Sequence, residues 1–343
     1  KLLAAYGSTI YSEIGSDLWG AVFNDRERLL FVCDFPAEWL PVDLVPAMFR
    51  YDISRIPSTP GNVTSHVMLT GPRLVVPSRV LTNVLVIRSF DANDPIREHL
   101  AVAIKGYPLK NVSVNFVDVS SSAELIEAMN KFDGAMVVFD CHGNHGGKTE
   151  HGWLSIGKEK VDVWQLANVA RMPPIVLLAA CSTHPIDGSH ASVANGLLRS
   201  GVLSVLGTYA PVNSAHTAIL VARLLFRVEI FLPLITKHRS CTWREIVSGF
   251  FRMSYTTDVL RDLTQTHKLI TEEQFHNIHM QANTDINSGE PLWLERIQQN
   301  VMEATGKNEI EIKTLWAQHF QFAETMLFTQ LGRPENIIIT DDE

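Results

Sequence analysis

Ala135-Met136-Val137-Val138-Phe139 is a near-continuous apolar run that closes on Asp140-Cys141-His142-Gly143. Ile175-Val176-Leu177-Leu178-Ala179-Ala180 repeats the pattern and closes on Cys181-Ser182-Thr183. Runs this short, rich in β-branched residues and without alternation, read as strands covered on both faces. Working outward, Val84 to Ile87, Val112 to Val117 and Val202 to Gly207 have the same character. Between them, Ser121 to Lys131 carries Leu125, Ile126 and Met129 at helical spacing. Ala191 to Arg199 does the same with Val193, Leu197 and Leu198. Strands alternating with amphipathic helices predict βαβ units, hence an α/β fold with a doubly wound, mostly parallel sheet.

Beyond this core the pattern changes. A strand is expected at Leu29 to Cys33, followed by many prolines from Pro36 to Pro77, and residues 1–80 read as a mixed N-terminal subdomain. The core is expected over 81–265 and a helical C-terminal extension over 266–343. Thr242 and Glu245 have capping-box spacing before a helix over Trp243 to Leu263. Further helices are expected at Glu272 to Gln281, Pro291 to Glu303 and Ile310 to Leu331, with a loosely held tail from Arg333. Trp243, Trp293 and Trp316 read as helix-packing residues.

Of the 343 residues, 46% are hydrophobic and 19% charged, which excludes disorder and supplies a sizeable core. A net charge of -8 argues against bulk attraction to nucleic acid or anionic lipid. The four cysteines, Cys33, Cys141, Cys181 and Cys241, are widely spread in a chain too large to need disulfide staples, so a reducing, cytoplasmic setting is expected. Ala218 to Ile235 is the most apolar stretch. Arg223, Arg227, Glu229 and Pro233 interrupt it, and it reads as a buried or interface helix rather than a membrane span. The chain begins at Lys1 rather than Met, so an excised domain or processed product is expected.

In an open parallel sheet, ligands sit beyond the carboxyl ends of the strands. Two strands end there in residues with chemistry, His142 and Cys181. A thiol nucleophile needs a base to take its proton, and the same imidazole then protonates the leaving amine. The backbone N–H groups of Gly143 and Cys181 are candidate oxyanion donors. Asp140 is a candidate orienter of the histidine, and Tyr209, just past the fifth strand, a candidate wall of a substrate pocket.

These residues resemble the CHAT domains, caspase-like members of the cysteine peptidase clan that includes caspases and separase. The likeness runs through Cys141-His142-Gly143, Gly152-Trp153-Leu154-Ser155, the strand ending in Ala179-Ala180-Cys181-Ser182-Thr183, and Ala194-Asn195-Gly196 onward to Gly207-Thr208. It implies a three-layer caspase-like fold, His142 as base, Cys181 as nucleophile, and peptide-bond hydrolysis in a protein substrate with no metal or cofactor. It also implies an effector module controlled by a fused or separate sensor domain. Two departures stand out. Ala210-Pro211-Val212-Asn213-Ser214 replaces the family's Trp-Pro-Val-Asp-Asp, and Ala179 stands where relatives that cleave after basic residues carry an acid. Asp140 or Asp187 is then the candidate negative charge of the substrate site.

Other readings compete. Cys181 after an apolar run also fits an inert core thiol, which would make the chain a catalytically silent binding scaffold. His142, His145, His151 and His184 with Cys141 or Cys181 fit a zinc-dependent hydrolase in residue type, but their spacing matches no standard zinc pattern. Gly147-Lys148-Thr149 resembles a phosphate loop, yet a strand at Trp153 to Ile156 is expected after it instead of the required helix.

Overall fold

The computed structural model describes residues 2–24, 27–43, 45–59, 68–145, 147, 150–181, 183–186, 190–320 and 322–341. Its central sheet is built from β1 (Arg28–Val32), β2 (Asp52–Ile56), β3 (Asn83–Ser89), β4 (Ser113–Asp118), β5 (Met136–Cys141), β6 (Ile175–Ala179), β7 (Ser204–Thr208) and β8 (Phe328–Gly332). They pair in the order β1-β2-β8-β7-β6-β5-β3-β4, an eight-stranded sheet. The run β4-β3-β5-β6-β7 is parallel throughout, and all five of these strands fall where the apolar runs place them.

Every residue of β5 is buried, which explains its unbroken hydrophobicity. On one face Leu125 and Met129 of α2 (Ser122–Lys131) and Val193, Ala194, Leu197 and Leu198 of α3 (Val193–Arg199) form one core with Phe139, Val176, Leu178 and Val205. Burying each large aliphatic or aromatic side chain there contributes about 1.5–3 kcal/mol. A short antiparallel sheet of Gly143–Asn144, Trp153–Ile156 and Glu159–Val161 joins that core through Leu154 and Ile156. On the other face α1 (His99–Lys105) packs against α4 (Ser214–Thr236), and α4 lies against β6.

Local chemistry sets the helix starts. Ser121 caps α2 by accepting from the Glu124 amide, Ser192 caps α3 through Asn195, and Asn213 caps α4 through Ala215 and His216. The capping box expected before the next helix is present. The Thr242 hydroxyl accepts from the Glu245 amide at 3.3 Å, and the Glu245 carboxylate accepts from the Thr242 amide at 2.7 Å. No helix among the described residues is long and apolar enough to cross a membrane.

The chain divides into two compact units. One comprises Lys1–Leu29, Pro36–Ile53 and Val247–Met326; the other comprises Leu30–Phe35, Ser54–Ile246 and Leu327–Glu343. Each unit thus draws on three separate stretches of the chain. Within the first unit, helices Glu272–Ser288, Trp293–Thr305 and Glu309–His319 bury Trp293 and Trp316, and the Tyr255 hydroxyl donates to the Phe320 carbonyl at 2.9 Å.

Two expectations for the C-terminus are corrected. The helix expected over Ile310 to Leu331 stops at His319, and Phe328–Gly332 instead pairs antiparallel with β7 and parallel with β2. Its aromatic and β-branched residues suit a strand, and Gly332 has φ +96 with the Leu203 carbonyl 2.3 Å from where a Cβ would stand. The tail is not loosely held either. Ile337–Thr340 pairs with Leu74–Pro77 and Cys241–Thr242, which leaves Ile337 and Ile339 fully buried. Ile339→Ala is therefore expected to lower stability by about 2–5 kcal/mol, read as a lower urea midpoint of the larger unit. A midpoint equal to wild type would restore the picture of a dangling tail.

Candidate active site

The in-register parallel pairing brings the expected residues to one rim. Ala179 of β6 lies opposite Asp140 of β5, and Asp140 lies opposite Arg88 of β3, so the next positions, His142 and Cys181, leave neighbouring strands at the same end of the sheet. Both line one cavity of about 40 Å³. Asp140, Ala179, Val212, His99, Ser214 and Thr217 share its wall, with Phe90, Ile96 and Leu100 as apolar lining.

Gly143 shows how closely the two strand ends approach. A Cβ placed there would stand 3.0 Å from the Cys181 carbonyl oxygen and 3.1 Å from the Ala180 Cβ, so glycine lets the two backbones meet. The Ser155 amide donates to the His142 carbonyl at 2.8 Å, and Gly143 lies opposite Leu154 in the same antiparallel ladder. Residues 143 and 154 are therefore a non-hydrogen-bonded pair, and the Gly143 amide turns away from that partner strand.

The imidazole of His142 is exposed, packs edge-to-face on Phe90 at 5.2 Å, and has Nε2 2.9 Å from Asp94 Oδ2. Asp94 also accepts from the Ile96 amide at 3.0 Å. That backbone bond, followed by the bond to His142, holds the Asp94 carboxyl below the usual carboxylate range. An ionised Asp94 accepts only, so Nε2 is the donor of that bond. The half-buried Cys181 thiol donates to the Val212 carbonyl at 3.7 Å. His99 Nδ1 lies 3.0 Å from the Ser214 hydroxyl at the start of α4, whose positive dipole end thus borders the cavity.

Asp140 does not orient His142, because Asp94 does. It is 6% exposed, and its Oδ2 has no hydrogen-bond partner among the described residues. Burial pushes its carboxyl up to about 7, against the pull of Arg88. Arg88 itself is committed elsewhere, binding Asp118 through Nε at 2.8 Å and Nη2 at 2.9 Å, and Glu98 through Nη1 at 3.2 Å. Tyr209 is corrected too: it is 4% exposed and absent from the cavity wall. Its hydroxyl accepts from Arg55 Nη2 at 2.7 Å, so the ring closes a buried polar cluster instead of lining the cavity. Asp187 lies outside the described residues.

The histidines proposed for zinc take separate partners. His142 meets Asp94, His151 Nδ1 meets Asp162 at 2.8 Å, and the buried His184 has Nδ1 3.2 Å from the Ser192 hydroxyl. Burial, reinforced by Arg55, holds His184 well below the usual histidine range. Among the described residues no group of three or more His, Cys, Asp or Glu is placed to hold a metal ion. The strand Trp153–Ile156 follows the Gly147 loop where a phosphate loop requires a helix; Lys148 and Thr149 lie outside the described residues.

Sequence reasoning missed Asp94 and His99. Phe90-Asp91-Ala92-Asn93-Asp94-Pro95 follows the carboxyl end of β3, and the rule that placed His142 and Cys181 also pointed to this loop. No family model matches the chain, and no curated protein matches it.

None of the four cysteines is in a disulfide, and they differ sharply in setting. Cys141 is buried, and its thiol is pushed up by burial and by Asp140; Cys241 is pushed up to about 12 by burial and by Glu245. Brief iodoacetamide treatment of the folded protein at neutral pH, followed by peptide mass mapping, is expected to modify Cys181 and to spare Cys141 and Cys241 until denaturant is added. Equal modification of Cys141 and Cys181 would contradict this site.

Proposed function

We propose that the chain is a cysteine endopeptidase of the caspase-like, CHAT type, hydrolysing peptide bonds of a protein substrate with His142 and Cys181. The observation that carries the reading is the shared cavity wall of the two residues, with Gly143 drawn against the Cys181 carbonyl. In the proposed reaction Nδ1 of His142 takes the thiol proton as sulfur attacks the substrate carbonyl carbon. The tetrahedral oxyanion is met by the Gly143 and Cys181 amides. On collapse the imidazolium gives that proton to the leaving amine, which departs and leaves a thioester. Water, deprotonated by the same imidazole, then releases the acid. Asp94 keeps Nε2 protonated and the ring fixed, a positioning role like that of the third member of a triad. No step requires a metal.

The three-layer caspase-like architecture and a cytoplasmic setting belong to this proposal, as does control by a fused or separate sensor domain. One observation favours a second reading, a silent binding scaffold. The thiol donates to Val212 and the imidazole is bonded to Asp94, so neither hydrogen bond joins the pair directly.

Incubation of wild type and Cys181→Ala with a proteome, followed by sequencing of new N-termini, separates the two. Cleavage that vanishes in Cys181→Ala and His142→Ala supports the peptidase; identical N-termini from wild type and both variants leave the scaffold. On a substrate found this way, Asp94→Asn is expected to lower kcat by about 10²-fold or more with KM little changed. An unaltered kcat removes Asp94 from the mechanism.

A further inference from the structure

α4 is apolar on nearly every side. One face packs into the fold and buries Leu220, Val221, Leu224, Leu225, Val228 and Leu232. Yet Ile219, Ile230 and Leu234 of the same helix, and Val102 of the neighbouring α1, each keep at least 45% of their surface exposed. A helix that is hydrophobic all round is ordinarily covered all round, so the exposed strip calls for a covering element.

Spacing gives the strip its shape. Ile219, Phe226, Ile230 and Leu234 follow one another at seven, four and four residues, which keeps them within about 80° of arc and spreads them over about 22 Å of helix. Phe226 packs on Tyr107, just beyond α1, with ring centroids 5.3 Å apart, while His99 at the head of α1 meets Ser214 at the head of α4. Val102 lies between those two contacts and widens the strip. So narrow a band matches the a/d seam of one helix against another rather than the broad apolar face with which a helix enters lipid.

Charge names the partner. From His99 to Val112 and from Asn213 to Arg239 the single acid is Glu229. It is buried, and its carboxylate accepts from the Asn111 and Val112 amides at 2.8 Å each. Lys105, Lys110 and Lys237 are exposed, and none of them is in an ion pair among the described residues. Lys237 continues the line of Ile219 and Ile230 at the end of α4, and Lys110 adjoins the amides that hold Glu229. A cationic border around an apolar strip, on a chain of net charge -8, favours an acidic partner and repels a second copy of the same face.

We propose that the face formed by α1 and α4 is a docking surface for an amphipathic helix of a partner protein, one whose apolar seam is flanked by Glu or Asp. The same two helices carry His99, Leu100, Ser214, Thr217 and Ala218 into the wall of the thiol cavity, so the partner sits on elements that frame the candidate site.

The probe is a fluorescein-labelled synthetic helix of about three heptads with Leu at a and d and Glu at e and g, compared with a second peptide carrying Lys in place of Glu. Anisotropy titrations with the full chain are expected to show the Glu peptide binding about tenfold or more tighter than the Lys peptide. Lys105→Glu, Lys110→Glu and Lys237→Glu combined, all at exposed positions, are expected to reverse that order, and Ile230→Asp to weaken the Glu peptide about tenfold or more. Equal affinity for the two peptides overturns the proposal, and so does an order that the charge reversal leaves unchanged. Binding of neither peptide overturns it too. Sedimentation with vesicles of phosphatidylserine and phosphatidylcholine would then make the face a membrane contact, and self-association abolished by Ile230→Asp would make it a contact between copies.

Discussion

Everything at the site follows from one constraint, the register of three parallel strands buried on both faces. β3, β5 and β6 align Arg88, Asp140 and Ala179 in one row. Because side chains alternate with a period of two, slipping one strand by a residue exchanges its faces. A slip in β5 would turn Cys141 toward the facing row and send Asp140 into the core of Phe139 and Leu178. Burial of both faces makes that slip costly, since each strand carries large apolar residues on both sides. The packing that stabilises the sheet is thus what keeps His142 and Cys181 at a common edge.

The same sheet edge sorts charges by how much water reaches them. Arg88, Arg97, Glu98 and Asp118 form an ion network at the carboxyl ends of β3 and β4, where Asp118 also takes Arg97 Nη2 at 2.8 Å. Bonds to Arg88, outweighing the effect of burial, hold Asp118 below the usual carboxylate range. One strand over, burial dominates and Asp140 moves the other way. Two aspartates within reach of one arginine therefore have opposite character, set by solvation and by which one receives the guanidinium's N–H groups. The cysteines show the same sorting: Cys141 faces the apolar core, while Cys181 lies just past a strand end on the cavity wall.

The middle of the sheet was legible because buried parallel strands write themselves as short apolar runs, and the Thr242–Glu245 spacing marks a helix start. His142 and Cys181 were legible because strand ends in such a sheet are where ligands bind. Phe328–Gly332 was not. Five residues after a helix, with a polar Thr-Gln pair inside, carry too little alternation to separate strand from helix, and only pairing with β7 decides it. Tyr209 failed for a related reason. An aromatic after a strand can turn outward or inward, and Arg55, distant in sequence, supplies the hydrogen bond that draws it in. Asp94 belongs to a turn whose geometry comes from its own bond to the Ile96 amide, and no periodicity reports that.

The hydrogen bonds of the two site residues are unequal, and the inequality sets which one can yield. His142 donates to an ionised carboxylate that is itself fixed by a backbone amide, a charge-assisted contact about twice as strong as a neutral one. Cys181 gives a weak S–H donor to Val212 at 3.7 Å, near the outer limit for sulfur. Turning the thiol toward Nδ1 therefore gives up little, whereas detaching the imidazole from Asp94 gives up a great deal. In the proposed chemistry the ring is the fixed partner and the sulfur the one that moves. The segment bearing Val212, between β7 and the Asn213 cap of α4, is then the part of the wall whose position governs how readily the thiol reaches its base.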